Sequence, residues 1–204
     1  MEPIQLFSIA ILIISIIAHE IAHGYVAYFF GDPTAKIAGR LTANPVKHFD
    51  PIGSFVVPVF FYLLSGGVAG WAKPVPYNPY MLRGRFAEVA VASAGVATNM
   101  AIACISSLIL YILNQNSAVN YAHESILIQI VFINVGLAIF NLLPFPPFDG
   151  LRIITSVAQG FGVPRRTFAF AEHPMWIIVS LIIAFNIWPI IYPVVRFTVD
   201  LLVR

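Results

Sequence analysis

Residues 4–30 read IQLFSIAILIISIIAHEIAHGYVAYFF. A spanning α-helix needs about 20 predominantly apolar residues, and this run is longer than that. Its second half is interrupted by His19, Glu20 and His23. An ionisable group inside an apolar helix is costly, and it is a functional candidate by default. Residues 1–3 carry no Lys or Arg, so the positive n-region of a cleaved signal peptide is missing. The run therefore reads as a retained membrane helix.

The rest of the chain agrees with that start. Of 204 residues, 59% are hydrophobic and 10% charged, whereas soluble domains carry about 25% charged residues. Further spanning candidates run over residues 86–113 and 126–143, and a C-terminal helical region over 175–204 contains Pro189 and Pro193. Those prolines suggest a kinked span plus a surface segment, or a short hairpin. Residues 52–68 are apolar but broken by Gly53, Pro58, Gly66 and Gly67, which suits a re-entrant or short membrane segment. Lys36 to Thr42 reads as short strands turning at Gly39. The expected fold is all-α and polytopic, with about four to six transmembrane helices and a small β-strand or re-entrant insertion after the first. Residues 1–204 form a single membrane domain on this reading. A net charge of +2 without a basic stripe gives no reason to expect nucleic acid. The one cysteine, Cys104, can form neither an internal disulfide nor a thiolate metal cage.

His19 and His23 stand four residues apart, so a helix puts both imidazoles on one face, one turn apart. Two imidazole nitrogens can then reach one zinc ion, with Glu20 beside them as general base: the HExxH arrangement. A hydrolytic zinc site takes three protein ligands. His48, His123 and His173 are the other histidines, and carboxylates are few. Asp149 stands out among them. It follows NLLPFPPF (residues 141–148) at the end of a spanning helix, where prolines leave irregular backbone of the kind tolerated around a polar cavity. A helix cap is the plain alternative for Asp149, and a helix–helix hydrogen bond is the plain alternative for Asn141. His48 could gate or support the site; His123 and His173 fall in polar turns.

At this point the chain resembles the site-2 proteases, intramembrane zinc metalloproteases. Their signature pairs HExxH with N-x-x-P-x-P-x-x-D-G, read here as HEIAH (19–23) and NLLPFPPFDG (141–150). Residues 31–53 and 70–83 look like the compact prokaryotic branch without PDZ or CBS modules. A further family element, G-P-x-x-N, appears as GVATN (95–99), with Val96 in place of proline. The resemblance implies one Zn2+ held by His19, His23 and Asp149, and Glu20 as the base that activates water. It implies Asn141 near the site as a hydrogen-bond donor to substrate or oxyanion. The implied function is an intramembrane metalloendopeptidase of single-span membrane proteins. The competing readings are a membrane zinc hydrolase of soluble or lipidated peptides and a non-catalytic scaffold or transporter.

One metal touching the C-terminal ends of the first helix and of the 126–143 helix requires the two to run in the same direction. The helix over 86–113 then runs oppositely, and 52–68 makes no net crossing. Lys36, Arg40, Lys47, Lys73, Arg83 and Arg85 fall in one loop, and Arg152, Arg165 and Arg166 on the same side. Residues 114–125 carry no Lys or Arg. The positive-inside rule places the site near the cytoplasmic side of the cell membrane. A substrate helix must unwind to be cut, and an exposed strand edge over Lys36 to Thr42 is the expected place to hold it. Oligomeric state is left open.

Overall fold

The computed structural model describes residues 3–57, 59, 63, 71–115, 120–172 and 174–204. Among these, six α-helices are formed: α1 (Pro3–Phe29), α2 (Thr34–Ile37), α3 (Ala87–Gln115), α4 (Tyr121–Asn141), α5 (Asp149–Gly160) and α6 (Pro174–Val203). Four segments among the described residues are long and apolar enough to cross a membrane: Leu6–Phe29, Ala87–Gln115, Tyr121–Asn141 and Asn186–Val203. The chain is an all-α, multi-pass membrane protein.

Helix α3 is the hub, packing against α1, α4, α5 and α6. It can do so because its buried face is mostly small: Ala87, Ala92, Ala94, Gly95, Asn99, Ala103, Ser106 and Ser107, with Val91, Val96 and Leu110 as the larger members. Lipid offers helices no hydrophobic reason to associate, so close approach of small side chains and interhelical hydrogen bonds must hold them. An apolar seam of Ala103, Val131, Val135, Ile191, Val195 and Val199 joins α3, α4 and α6.

Cross-helix pairs give the directions. Gln129 Nε2 donates to Ser8 Oγ (2.7 Å) and Asn134 Nδ2 to Ser15 Oγ (3.0 Å), so α1 and α4 are parallel. His19 meets Asn99 while His23 meets Val91, so α3 is antiparallel to α1. Rings of Phe132 and Phe140 meet Tyr192 and Trp188, so α6 is antiparallel to α4. The parallel pair anticipated from the zinc argument is present. The loop between α1 and α3 closes on itself, with Arg83 N donating to Phe30 O at 2.8 Å.

Three local expectations change. Lys36 to Thr42 is not a strand, and no strand occurs among the described residues. Asp32 Oδ1 accepts from Thr34 N at 2.9 Å and from Thr34 Oγ1, and Pro33 precedes the first helical residue. These starter signals turn Thr34–Ile37 into a helical turn, which ends where Gly39 takes φ +63°. An exposed strand edge for substrate is therefore absent there. Helix α4 begins at Tyr121, ahead of the expected residue 126, because Asn120 Oδ1 caps His123 N at 2.9 Å and Glu124 lies in the first turn. Helix α6 is continuous through Pro189 and Pro193. Spanning helices tolerate proline where neighbours and local adjustment satisfy the freed carbonyls.

The region expected to be re-entrant, 52–68, is described only in part. Ile52–Val56 forms one π turn, started by Asp50 Oδ1 accepting from Ile52 N (2.9 Å) and Gly53 N (2.7 Å). Most of the remainder of that expectation lies outside the described residues, as does His173.

Candidate metal centre

Helix α1 presents His19 and His23 on one face, as their spacing requires. The break after α4 delivers the third group. Leu142 ends that helix, and three prolines at 144, 146 and 147 prevent its continuation. The chain restarts as α5 at Asp149, whose carboxylate does not cap its own helix. Gly150 is needed for this restart, since a Cβ there would run into the Leu142 carbonyl. Asp149 Oδ2 instead lies 3.1 Å from His19 Nε2 and 3.2 Å from His23 Nε2. The two Nε2 atoms are 3.1 Å apart. All three side chains are buried, with relative exposures of 7%, 7% and 4%. They are the group among the described residues that could hold a metal ion.

Hydrogen bonding on the far side of each ring sets what faces the centre. His23 Nδ1 lies 2.7 Å from the Val91 carbonyl. A carbonyl only accepts, so Nδ1 carries the proton and neutral Nε2 offers a lone pair. His19 Nδ1 lies 2.6 Å from Asn99 Oδ1, with the same consequence. Two lone pairs and a carboxylate oxygen then converge with no proton between them, and Asp149 Oδ2 has no hydrogen-bond partner. Such a cluster is mutually repulsive unless a cation fills it. Tetrahedral zinc with bonds of about 2.0–2.1 Å spaces its ligands about 3.3 Å apart, close to the three separations here. The residues fit the ion.

Close approach of α1 to α3 depends on Gly95, where any Cβ would collide with the His19 ring. A second polar layer ties the helices behind the centre. Asn99 Nδ2 donates to Asn134 Oδ1 (2.9 Å), and Asn134 Nδ2 donates to Ser15 Oγ (3.0 Å).

Glu20 projects to one side, where its Oε2 accepts from the Val75 amide at 2.8 Å. Val75 belongs to an extended strap over residues 71–78, kept from helix by Pro74 and Pro76. The strap is held from beneath: Trp71 N to Gly53 O (3.0 Å), Lys73 N to His48 O (2.9 Å), and Arg40 Nη2 to Lys73 O (2.6 Å). His48 is buried, and its Nε2 lies 2.8 Å from Thr42 O. It supports the strap rather than the metal group. His123 sits in the exposed first turn of α4. Asn141 is half-buried, and its Nδ2 donates to Leu137 O within its own helix at 2.9 Å; it is not drawn into the histidine–aspartate group.

Sequence reasoning brings together His19, His23 and Asp149, with Glu20 beside them. It misses Val75, Val91, Asn134 and Ser15. Asn134 alone carries a readable signal, an amide in an apolar helix. The other contacts depend on long-range packing.

Comparison with known proteins places this geometry. A Bacillus subtilis (strain 168) protein named "Putative zinc metalloprotease YwhC" is 42% identical over 149 residues, 70% of this chain and 65% of that protein. Two mycobacterial proteins share the name "Putative zinc metalloprotease Rip2". The one from Mycobacterium tuberculosis (strain ATCC 25618 / H37Rv) is 28% identical over 175 residues, 85% of this chain and 64% of that protein. The one from Mycolicibacterium smegmatis (strain ATCC 700084 / mc(2)155) is 30% identical over 199 residues, 92% of this chain and 73% of that protein. The chain thus spans just under two thirds of the length of the first two. No solved structure matches. The profile of peptidase family M50 matches residues 105–187, the stretch that contains the Asn141-to-Gly150 motif. Family profile and relatives agree with the site-2 protease resemblance, and the chain belongs to peptidase family M50.

Proposed function

We propose that this chain is a zinc-dependent metalloendopeptidase that cuts transmembrane segments of single-span membrane proteins. The observation that carries the reading is the convergence of two imidazole lone pairs and an otherwise unpartnered carboxylate beside Glu20, inside a bundle of membrane-spanning helices. In this reading His19, His23 and Asp149 hold one zinc ion, as the relatives' name suggests. Zinc supplies such a site with Lewis acidity, polarising a carbonyl and making water more acidic.

The chain's own groups do the rest. Glu20 takes a proton from water onto its carboxylate and delivers it to the leaving amine. The Val75 amide keeps that carboxylate aimed. Asn141, at the helix end that delivers Asp149, has a second amide hydrogen free of Leu137 for a substrate carbonyl.

Basic residues 36, 40, 47, 73, 83, 85, 152, 165 and 166 flank the end that holds the metal group, which supports a cytoplasmic-side site in the cell membrane. The closed loop from Phe30 to Arg83 supports a re-entrant or surface course for 52–68 within one membrane domain.

The test is Glu20→Gln in the full chain, assayed with a single-span substrate and with a soluble peptide. The expected result is retained zinc with the membrane substrate left uncut. Normal processing by a zinc-loaded Glu20→Gln protein would sink the protease reading, and cleavage of the soluble peptide alone would redirect it to a hydrolase of soluble peptides. Proteomics of membrane-retained stubs in cells expressing Glu20→Gln would then name substrates.

A further inference from the structure

We infer that Asn134 is the positioning residue that makes His19 a metal ligand, by fixing through Asn99 which ring nitrogen carries the proton. The inference rests on the metal-centre reading above and adds a residue that touches neither metal nor substrate.

The Ile130 carbonyl can only accept a hydrogen bond. It lies 2.9 Å from the terminal amide of Asn134, so Nδ2 must be the atom that faces it. The same Nδ2 donates to Ser15 Oγ at 3.0 Å. The orientation of Asn134 is therefore set, and Oδ1 points toward α3. There it can only accept, so Asn99 must present Nδ2 to it, at 2.9 Å. With Nδ2 spent, Asn99 turns Oδ1 to His19, 2.6 Å from Nδ1. A carbonyl oxygen demands a proton on Nδ1, which leaves the Nε2 lone pair facing Asp149 and His23.

Each link has one permitted direction, and the direction travels from the α4 backbone to the ring on α1. Asn99 alone could not do this. An isolated amide can flip and present either end. Flipped, it would donate to Nδ1, force the proton onto Nε2, and remove the lone pair. Asn99 and Asn134 are both fully buried, at 0% exposure, so no bulk water substitutes for a missing partner. His23 needs no such relay, since Val91 offers a backbone carbonyl directly. The two histidines are thus oriented by different means.

The experiment compares zinc dissociation constants, by chelator competition, on the detergent-solubilised full chain. Leu and Asp both match the shape of Asn. Asn134→Leu removes the acceptor, whereas the protonated carboxyl introduced by Asn134→Asp keeps an acceptor toward Asn99 and a donor toward Ile130. Asn134→Leu should weaken zinc about 10–100-fold, the usual cost of losing an outer-shell partner, and Asn134→Asp should stay within about threefold of wild type. Asn99→Asp presents only acceptors to His19 whatever lies behind it, so adding it to Asn134→Leu should restore binding. Asn134→Val serves as a second acceptor-free variant if the Leu protein does not fold.

Wild-type affinity in a folded Leu or Val variant would overturn the inference. So would a loss that Asn99→Asp does not rescue, since that marks a packing defect. If wild type binds zinc no better than His23→Ala, the metal centre itself is wrong and the inference falls with it. Failure of the inference alone leaves wild type well above His23→Ala.

Discussion

The amide of Val75 donates to Glu20 Oε2 at 2.8 Å, across fifty-five residues of sequence. The Glu20 carboxylate, one residue on from His19, is thus held by the strap, and the strap in turn is held by Gly53, His48 and Arg40.

Replacing Val75 by proline deletes that one donor. Val75 lies outside any helix and directly before Pro76, a position biased toward the extended backbone that proline also adopts. A hydrogen bond to a charged group is worth about 1.5–3 kcal/mol. Val75→Pro should therefore lower kcat by roughly 10–100-fold with zinc content unchanged. Steady-state cleavage, with zinc measured on the same preparation, checks both halves. An unaltered kcat would remove Val75 from the machinery.

Stripping the metal should loosen the protein. Without a cation, two lone pairs and a carboxylate face one another at 3.1–3.2 Å inside the bundle. A ligand at about 100 times its Kd stabilises by about 2.7 kcal/mol, which for a chain of this size is a shift of about 5–10 °C in Tm. Chelator treatment should lower the Tm by that amount and zinc should restore it. Asp149→Ala should show a much smaller response to either. A chelator shift as large in Asp149→Ala as in wild type would locate the stabilising metal elsewhere.

Gly95→Ala should damage the site from outside it. The added methyl would overlap the His19 ring, so α3 and α1 must part or the ring must turn. Overpacking of this kind costs about 1–3 kcal/mol, and it should fall on zinc affinity as well as on thermal stability. Alanine at Gly136, where a Cβ meets nothing within 4 Å, is the matched control and should leave both unchanged.

What can be read from the sequence divides along physical lines. His19 and His23 share a face because helical periodicity is local, and Asp149 follows a helix end because prolines stop helices locally. The spans are legible because apolar length is additive along the chain. The strand expected over Lys36 to Thr42 fails for a local reason: the Asp32 carboxylate and Pro33 start a helical turn. Val75, Val91 and Asn134 could not be assigned roles, since each acts on a residue at least thirty-five positions away through packing that no local pattern encodes. Even Asn99, matched to a family element, shows its task only with the His19 ring beside it.

The topology gives the last prediction. Arg83 N donates to Phe30 O at 2.8 Å, so the segment between them leaves and returns at the same end of the bundle. Antiparallel packing of α3 on α1 demands the same. Residues 43 and 80 are exposed on that segment, Tyr80 at 87%. In a Cys104→Ala background, Ala43→Cys and Tyr80→Cys should both react with a membrane-impermeant maleimide from one side, the cytoplasmic side by the charge rule. Tyr121, 86% exposed at the start of α4, lies at the other end of the bundle, so Tyr121→Cys should label from the opposite side. Labelling of Ala43→Cys and Tyr80→Cys from different sides would require a full crossing between them. Such a crossing is incompatible with the Phe30–Arg83 contact, and it would separate the Val75 strap from Glu20.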